Sequence, residues 1–238
     1  VKAIGFVFPL CLALGAAQAA DRAVLTRQQV ADQLPGVEAS DIADSPIPGL
    51  YQVSVGPNVA YVTSDGKYVL QGDLYEVASQ ENLTEKSRAA ARKVLLDAVG
   101  KDSMIVFSPK NGQVKHRVTV FTDVDCGYCR QFHRDIDKVT ALGIEVHYLF
   151  FPRTGPNTES WKKAERVWCA KDRNAALTEA KLGAQLPKAS CSTPVEKDYN
   201  LGKKVGVRGT PAIFSESGEL LGGYLPPKKL AAALNAAD

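Results

Sequence analysis

The sequence predicts an α+β protein in two unequal parts joined by a helix. Three observations carry that expectation. Between residue 21 and about residue 80, one short amphipathic stretch is followed by brief alternating β runs broken by Pro and Gly. Residues 83–99 then read as a single helix rich in Ala, Lys and Arg. From about residue 101 the pattern changes to strands interleaved with helical periodicity. A chain of 238 residues, 45% hydrophobic and 23% charged, can build one large domain or two smaller ones. The net charge is +3 and no basic run reaches five residues, so nothing calls for a nucleic-acid partner.

Residues 6–17 are apolar apart from glycines and Pro9, follow Lys2, and lead into Ala17-Gln18-Ala19. Small residues flanking one position after a short apolar run mark a cleavable secretory signal, here residues 1–19. The run falls short of the roughly 20 apolar residues a membrane span needs. No other stretch approaches that length, so no stable membrane insertion is expected. A buried N-terminal helix is the alternative, and the charged segment that starts at Asp21 argues against it. Cys11 falls within the discarded segment.

Residues 24–34 are expected to form a short helix with Thr26 as N-cap. Residues 51–55 and 60–63 alternate as strands. Ser64-Asp65-Gly66-Lys67 turns the chain into a third run at Tyr68-Val69-Leu70, with Asp65-Gly66 as the hairpin signal. A unit this small buries a modest core, so oligomerisation is a natural way to stabilise it. In the helix over 83–99, Leu83, Ala90, Val94 and Ala98 can share a face, and Gly100 supplies the stop. A helix polar over most of its surface suits a bridge between domains.

In the larger part, residues 118–121 form a strand. Cys129, Phe132, His133, Ile136 and Val139 recur at helical spacing after it, and residues 144–150 form the next strand. Residues 159–186 read as mostly helical, with Cys169 inside. Trp161 and Trp168, seven residues apart, read as core. Residues 207–214 lead into another strand, Ser217-Gly218 turns the chain, residues 219–224 return, and Pro227 opens a last helix.

The chemistry lies at Asp125-Cys126-Gly127-Tyr128-Cys129, between a strand and a helix. The first turn of a helix offers unpaired N–H groups and the positive end of the helix dipole. A thiolate at Cys126 is stabilised there, below the free-thiol pKa of about 8.5. Thiolates are the nucleophiles of disulfide exchange. Cys129, one turn later and expected to be more buried, can resolve a mixed disulfide. The four cysteines beyond the leader allow three pairings. Cys126 with Cys129 and Cys169 with Cys191 is preferred, because C-x-x-C is the usual redox unit. Zinc would need a second C-x-x-C or paired histidines, and the sequence has neither, so no metal or cofactor is expected. A purely structural C-x-x-C bridge is the blander reading, though such tight loops are strained and labile. His133 reads as a packed residue rather than a tuner of the thiols.

These residues resemble the DsbC/DsbG family of bacterial periplasmic disulfide isomerases, on its DsbC side. The resemblance rests on Val120-Phe121-Thr122-Asp123-Val124-Asp125-Cys126-Gly127-Tyr128-Cys129, on Gly206-Val207-Arg208-Gly209-Thr210-Pro211-Ala212, and on Gly223-Tyr224-Leu225-Pro226-Pro227. It extends to Asp65-Gly66-Lys67-Tyr68-Val69-Leu70-Gln71-Gly72 and Tyr75. It implies a C-terminal thioredoxin-like fold with a helical insertion (residues 101–238), a linker helix (81–100) and a small N-terminal α+β dimerisation domain (20–80). It implies a homodimer with Gly72 at the contact, and a structural disulfide between Cys169 and Cys191. It also implies a Thr–cis-Pro loop at Thr210-Pro211 that offers backbone groups to an extended substrate. The activity implied is reshuffling of wrong disulfides in exported proteins, in the periplasm. Chaperone capacity and a membrane thiol reductase of the DsbD type that keeps the pair reduced go with it. A net oxidant or reductase with narrow substrates, or a holdase independent of the thiols, are the alternatives. Arg130 departs from the histidine that follows the pair in well-known members, and its charge is expected to favour the thiolate.

Overall fold

The computed structural model describes residues 24–237; the expected signal segment and Cys11 lie outside them. The small N-terminal part opens with α1 (Arg27–Ala31), capped by Thr26 and Gln29, which exchange side-chain-to-backbone hydrogen bonds. α1 is shorter than the expected 24–34. The chain leaves the helix after Ala31 so that Leu34 and Val37 fold back onto Val30, Ile42, Val53 and Val62. A four-stranded antiparallel meander follows in the order β1 (Ile42–Asp44), β2 (Leu50–Val55), β3 (Asn58–Thr63) and β4 (Val69–Leu70). Gly66, at φ +73°, makes the turn between β3 and β4.

The connecting helix α2 (Leu83–Asp97) is capped by Asn82, whose side chain accepts from the Glu85 N–H. Its buried face is Thr84, Ala89, Arg92 and Leu96, while Val94 is exposed. The expected apolar face was therefore the wrong one. Two polar residues go inside because each finds partners. The Thr84 hydroxyl lies 2.5 Å from the Tyr61 hydroxyl and accepts from Leu74 N at 2.8 Å. Arg92 donates to the Val205 carbonyl at 3.1 Å and pairs with Glu85. Gly218, at φ +84°, brings its turn so close that a Cβ there would sit 2.2 Å from the Ala89 carbonyl oxygen.

The larger part runs β5 (Ile105–Phe107), β6 (His116–Thr122), α3 (Gly127–Arg134), α4 (Ile136–Ala141), β7 (Ile144–Phe150), α5 (Glu159–Trp168), α6 (Arg173–Lys181), α7 (Val195–Lys204), β8 (Ala212–Ser215), β9 (Leu220–Gly222) and α8 (Pro227–Ala237). Its sheet has the order β5-β7-β6-β8-β9, with β6 and β7 parallel and the other pairs antiparallel. The expected single helix after the cysteines is two, because Asp135 leaves helical geometry and binds Lys138 and the Tyr224 hydroxyl instead. The expected long helix over 159–186 is also two. Cys169 caps the end of α5, and Asp172 caps the start of α6 through Ala175 N.

Strand period sorts side chains to the two faces of this sheet. Val118, Val120, Val146, Tyr148 and Ile213 face one core with Phe132, Trp161, Leu177 and Leu230. Phe121, Leu149 and Phe214 face the other, with Met104 and Leu96 of α2. The second half of α2 is thus a wall of the larger core. Among the described residues, no helix is long and apolar enough to cross a membrane.

Candidate active site

β6 carries the chain through buried Thr122 into a loop at Asp123 that delivers Cys126 to the start of α3. Cys126 is the N-cap of α3, and its N–H donates to Asp123 O at 3.2 Å. Asp123 holds the loop. It accepts from Asp125 N at 2.8 Å, from the Ser160 hydroxyl at 2.5 Å, and from Arg153 N and Nε at 3.1 and 3.0 Å. Burial alone would raise its carboxyl, but these bonds keep it ionised, below the ordinary Asp value. Arg153 is thereby fixed as a cation near the thiols.

Both sulfurs are shielded, Cys126 at 2% exposure and Cys129 at 1%. Cys129 is the more buried of the pair, as expected, but by a margin too small to separate them by access alone. The two thiols differ instead in electrostatics. At Cys126 burial pushes the pKa up, but the Thr210 hydroxyl and the Cys129 N–H and thiol, donors from which the thiolate can accept, together with the Arg153 charge, bring it below the ordinary thiol value. At Cys129 burial wins and the pKa is raised, although the Lys181 charge opposes it. Arg130, expected to favour the thiolate, is bonded to groups beside the pair. Arg130 binds the Val124 carbonyl and the Asp125 carboxylate, both at 3.0 Å, and Lys163 reaches the same carboxylate at 2.7 Å. The charge felt most strongly at Cys126 is that of Arg153.

Thr210 and Pro211, joined by a cis peptide bond, lie against the pair. The Cys126 thiol donates to the Thr210 carbonyl at 3.1 Å. The Thr210 hydroxyl is buried and has no partner among the described residues. A sulfur that loses its proton becomes an acceptor for such a donor. Gly127 and Tyr128 face outward; Tyr128 is 66% exposed and stacks on Tyr224 at 6.5 Å. Cys169 and Cys191 are bonded to each other, away from the reactive pair. His133 is buried against Tyr148 and Thr178, and burial lowers its pKa to about 3, so it is neutral. Gly72 lies in the small part, at an exposed bend after β4, with no atom within 4 Å of an added Cβ.

Residues 15–85 match the family described as the disulfide bond isomerase protein N-terminal domain, and residues 102–238 match a thioredoxin-like domain. A thiol:disulfide interchange protein DsbC from Haemophilus influenzae is 41% identical over 233 residues, covering 96% of each chain. The chain belongs to the DsbC family. DsbC proteins from Dickeya dadantii and Escherichia coli are 40% and 38% identical, covering 95% and 91% of this chain and 92% and 88% of their own. A solved disulfide interchange protein from Neisseria gonorrhoeae is similar to it at 28% identity and a TM-score of 0.51. That likeness spans 58% of this chain and 97% of the other. The architecture is therefore a thioredoxin-like domain behind a DsbC-type N-terminal domain.

Sequence reasoning missed Asp123, Arg153 and Lys181 as parts of the site. For Lys181 a signal existed: it follows Leu177 by four residues, on the apolar face of α6. Arg153 and Ser160 carried none, because only the fold brings them to Asp123.

Proposed function

We propose that this chain is a protein disulfide isomerase that attacks non-native disulfides of exported proteins through Cys126 and resolves through Cys129. The observation that carries this reading is the placement of the pair: Cys126 caps α3 with its thiol 3.1 Å from the Thr210 carbonyl, and Cys129 lies one helical turn on, in surroundings that lower the first thiol and raise the second. Cys126 as thiolate attacks one sulfur of a client disulfide. A bond forms between Cys126 and that sulfur, and the other client sulfur leaves as a thiolate. The freed client thiolate can attack a different client disulfide, and the client thiolate expelled there can attack the mixed disulfide and release Cys126, which reshuffles bonds with no net transfer of electrons. Alternatively Cys129 attacks the Cys126 sulfur, which reduces the client by two electrons and oxidises the pair. Isomerase work needs a reduced pair, so a thiol reductase of the DsbD type must restore it. A client segment that reaches Cys126 passes along Thr210-Pro211, which we assign to substrate binding.

The same reading makes the protein periplasmic, after removal of residues 1–19, and a homodimer through residues 20–80. Residues 81–100 serve as linker and 101–238 as catalytic domain. Dimerisation is supported by exposed Tyr68, Val69 and Leu70 on and beside the edge strand β4, which pairs only with β3 among the described residues, and by exposed Tyr75 and Val77 in the loop beyond it. The test is trapping. Cys129→Ser should accumulate mixed disulfides with clients, and Cys126→Ser should lose isomerase activity on a scrambled substrate. Faster alkylation of Cys129 than of Cys126 in the reduced protein would reverse the assignment.

A further inference from the structure

Lys181 is an unusual residue to find inside a protein. Its side chain comes from the last turn of α6, in the helical segment between β7 and β8, and it is 4% exposed. Both of its hydrogen bonds go to neutral oxygens, Thr122 Oγ1 at 2.8 Å and Asp123 O at 3.4 Å. The Tyr148 ring lies 5.9 Å from its Nζ. A buried ammonium is costly without a counter-charge. Burial accordingly draws its pKa down to about 8, which leaves it mostly charged at neutral pH. The groups that face it are Cys126, Cys129, Arg130 and His133 from α3, Asp123 from the loop, and Tyr148 from β7. Asp123 is already engaged by Arg153 and Ser160, Arg130 repels it, and His133 stays neutral. The largest attraction Lys181 feels is toward Cys129.

Thr122 completes the arrangement. Its hydroxyl accepts from Lys181 Nζ and lies within reach of the Cys129 sulfur. A hydroxyl has one hydrogen to give. With an ammonium on its lone pair, that hydrogen is directed to the sulfur.

We propose that Lys181 is a positioning residue for the resolution step: its charge, and the Thr122 hydroxyl that it orients, stabilise the Cys129 thiolate that attacks the mixed disulfide at Cys126. In that step the Cys126–Cys129 bond forms and the Cys126–client bond breaks. The client sulfur leaves with the electron pair and takes up the proton that Cys129 lost. Lys181 keeps its own protons throughout. The inference rests on the assignment of Cys126 as attacker and Cys129 as resolver.

The reduced protein treated with 5,5′-dithiobis(2-nitrobenzoate) releases coloured thiolate twice, first when Cys126 attacks the reagent and again when Cys129 resolves. In Lys181→Met the second release should slow about tenfold at pH 7, and its pH profile should move up by about one unit, the change in thiolate fraction that one pKa unit produces. Lys181→Arg should restore the profile toward the parent. If the first release in the parent protein survives Cys126→Ser, the attacker assignment fails. If that assignment stands but Lys181→Met resolves at the parental rate and pH profile, the inference is overturned. Should Lys181→Met not fold, NMR of 15N-lysine-labelled parent protein decides. The Lys181 titration midpoint should be higher in the dithiol than in the disulfide form, and equal midpoints would overturn the proposal.

Discussion

Replacing Asp198 with asparagine should leave the protein no more stable at pH 4 and clearly more stable at pH 8. Asp198 lies on α7, is 3% exposed, and accepts a hydrogen bond from Phe150 N at 3.0 Å. Burial raises its carboxyl from 3.8 to about 7, with only that one N–H opposing the shift. Between these two values the unfolded chain has released the proton while the folded one still holds it. The native state then binds more protons, so stability falls as pH rises from about 4 to about 7 and is level above. Three pKa units at about 1.4 kcal/mol each set a ceiling of about 4 kcal/mol for the loss. Asparagine keeps an oxygen for Phe150 N but adds an amide N–H₂ that needs an acceptor, a cost of about 1–3 kcal/mol. The expected result is a variant equal or weaker at pH 4 and stronger by about 1–3 kcal/mol at pH 8. Urea unfolding of both proteins at unit pH steps and one protein concentration measures this. Subtracting the two curves removes common contributions, including that of His133, whose lowered pKa acts at acid pH. A difference that does not change with pH would refute the argument.

Three further outcomes can be checked. Replacing Cys169 and Cys191 together by alanine opens a loop of 22 residues and should lower stability by about 3 kcal/mol in urea, and no change would show that the loop is already ordered in the unfolded chain. Gly218→Ala places a Cβ 2.2 Å from the Ala89 carbonyl at φ +84°, and calorimetry should find about 1–3 kcal/mol lost while Cys126 alkylates at the parental rate; an unshifted melting temperature would mean that this turn does not grip α2. Gly72→Arg should yield monomers by sedimentation that still react at Cys126 but no longer isomerise a scrambled substrate, and a dimeric variant would move the contact elsewhere.

What the sequence disclosed follows from how each element earns its place. Strands β6 and β7 were legible because continuous β-branched and aromatic runs mark buried strands. The thiol pair was legible from its spacing and from the strand before it. β1 and β5 were not, since three residues are too few to show alternation. α7 was missed because Glu196, Lys197, Asp198 and Asn200 dilute its apolar face. The α2 face was misread for a different reason. Pattern reading sends Arg92 and Thr84 to solvent, whereas Glu85, Val205 and Tyr61 satisfy them inside. The neighbours of the thiols divide the same way. Thr210-Pro211 could be named from the chain, but Arg153, Asp123 and Lys181 act through contacts across elements distant in sequence.

The double attachment of α2 bears on how the molecule can be taken apart. Its first turn is tied to the small sheet through Thr84, and its last turns supply Leu96 to the larger core. A fragment cut to start at residue 101 would strip that wall away and expose Phe214 and Met104 on the bared sheet. A cut just before Asn82 would carry the whole rod along and keep that side of the sheet covered. Any transplant of the thioredoxin-like part onto another scaffold should therefore graft at the N-cap of α2 and let the host replace the meander alone.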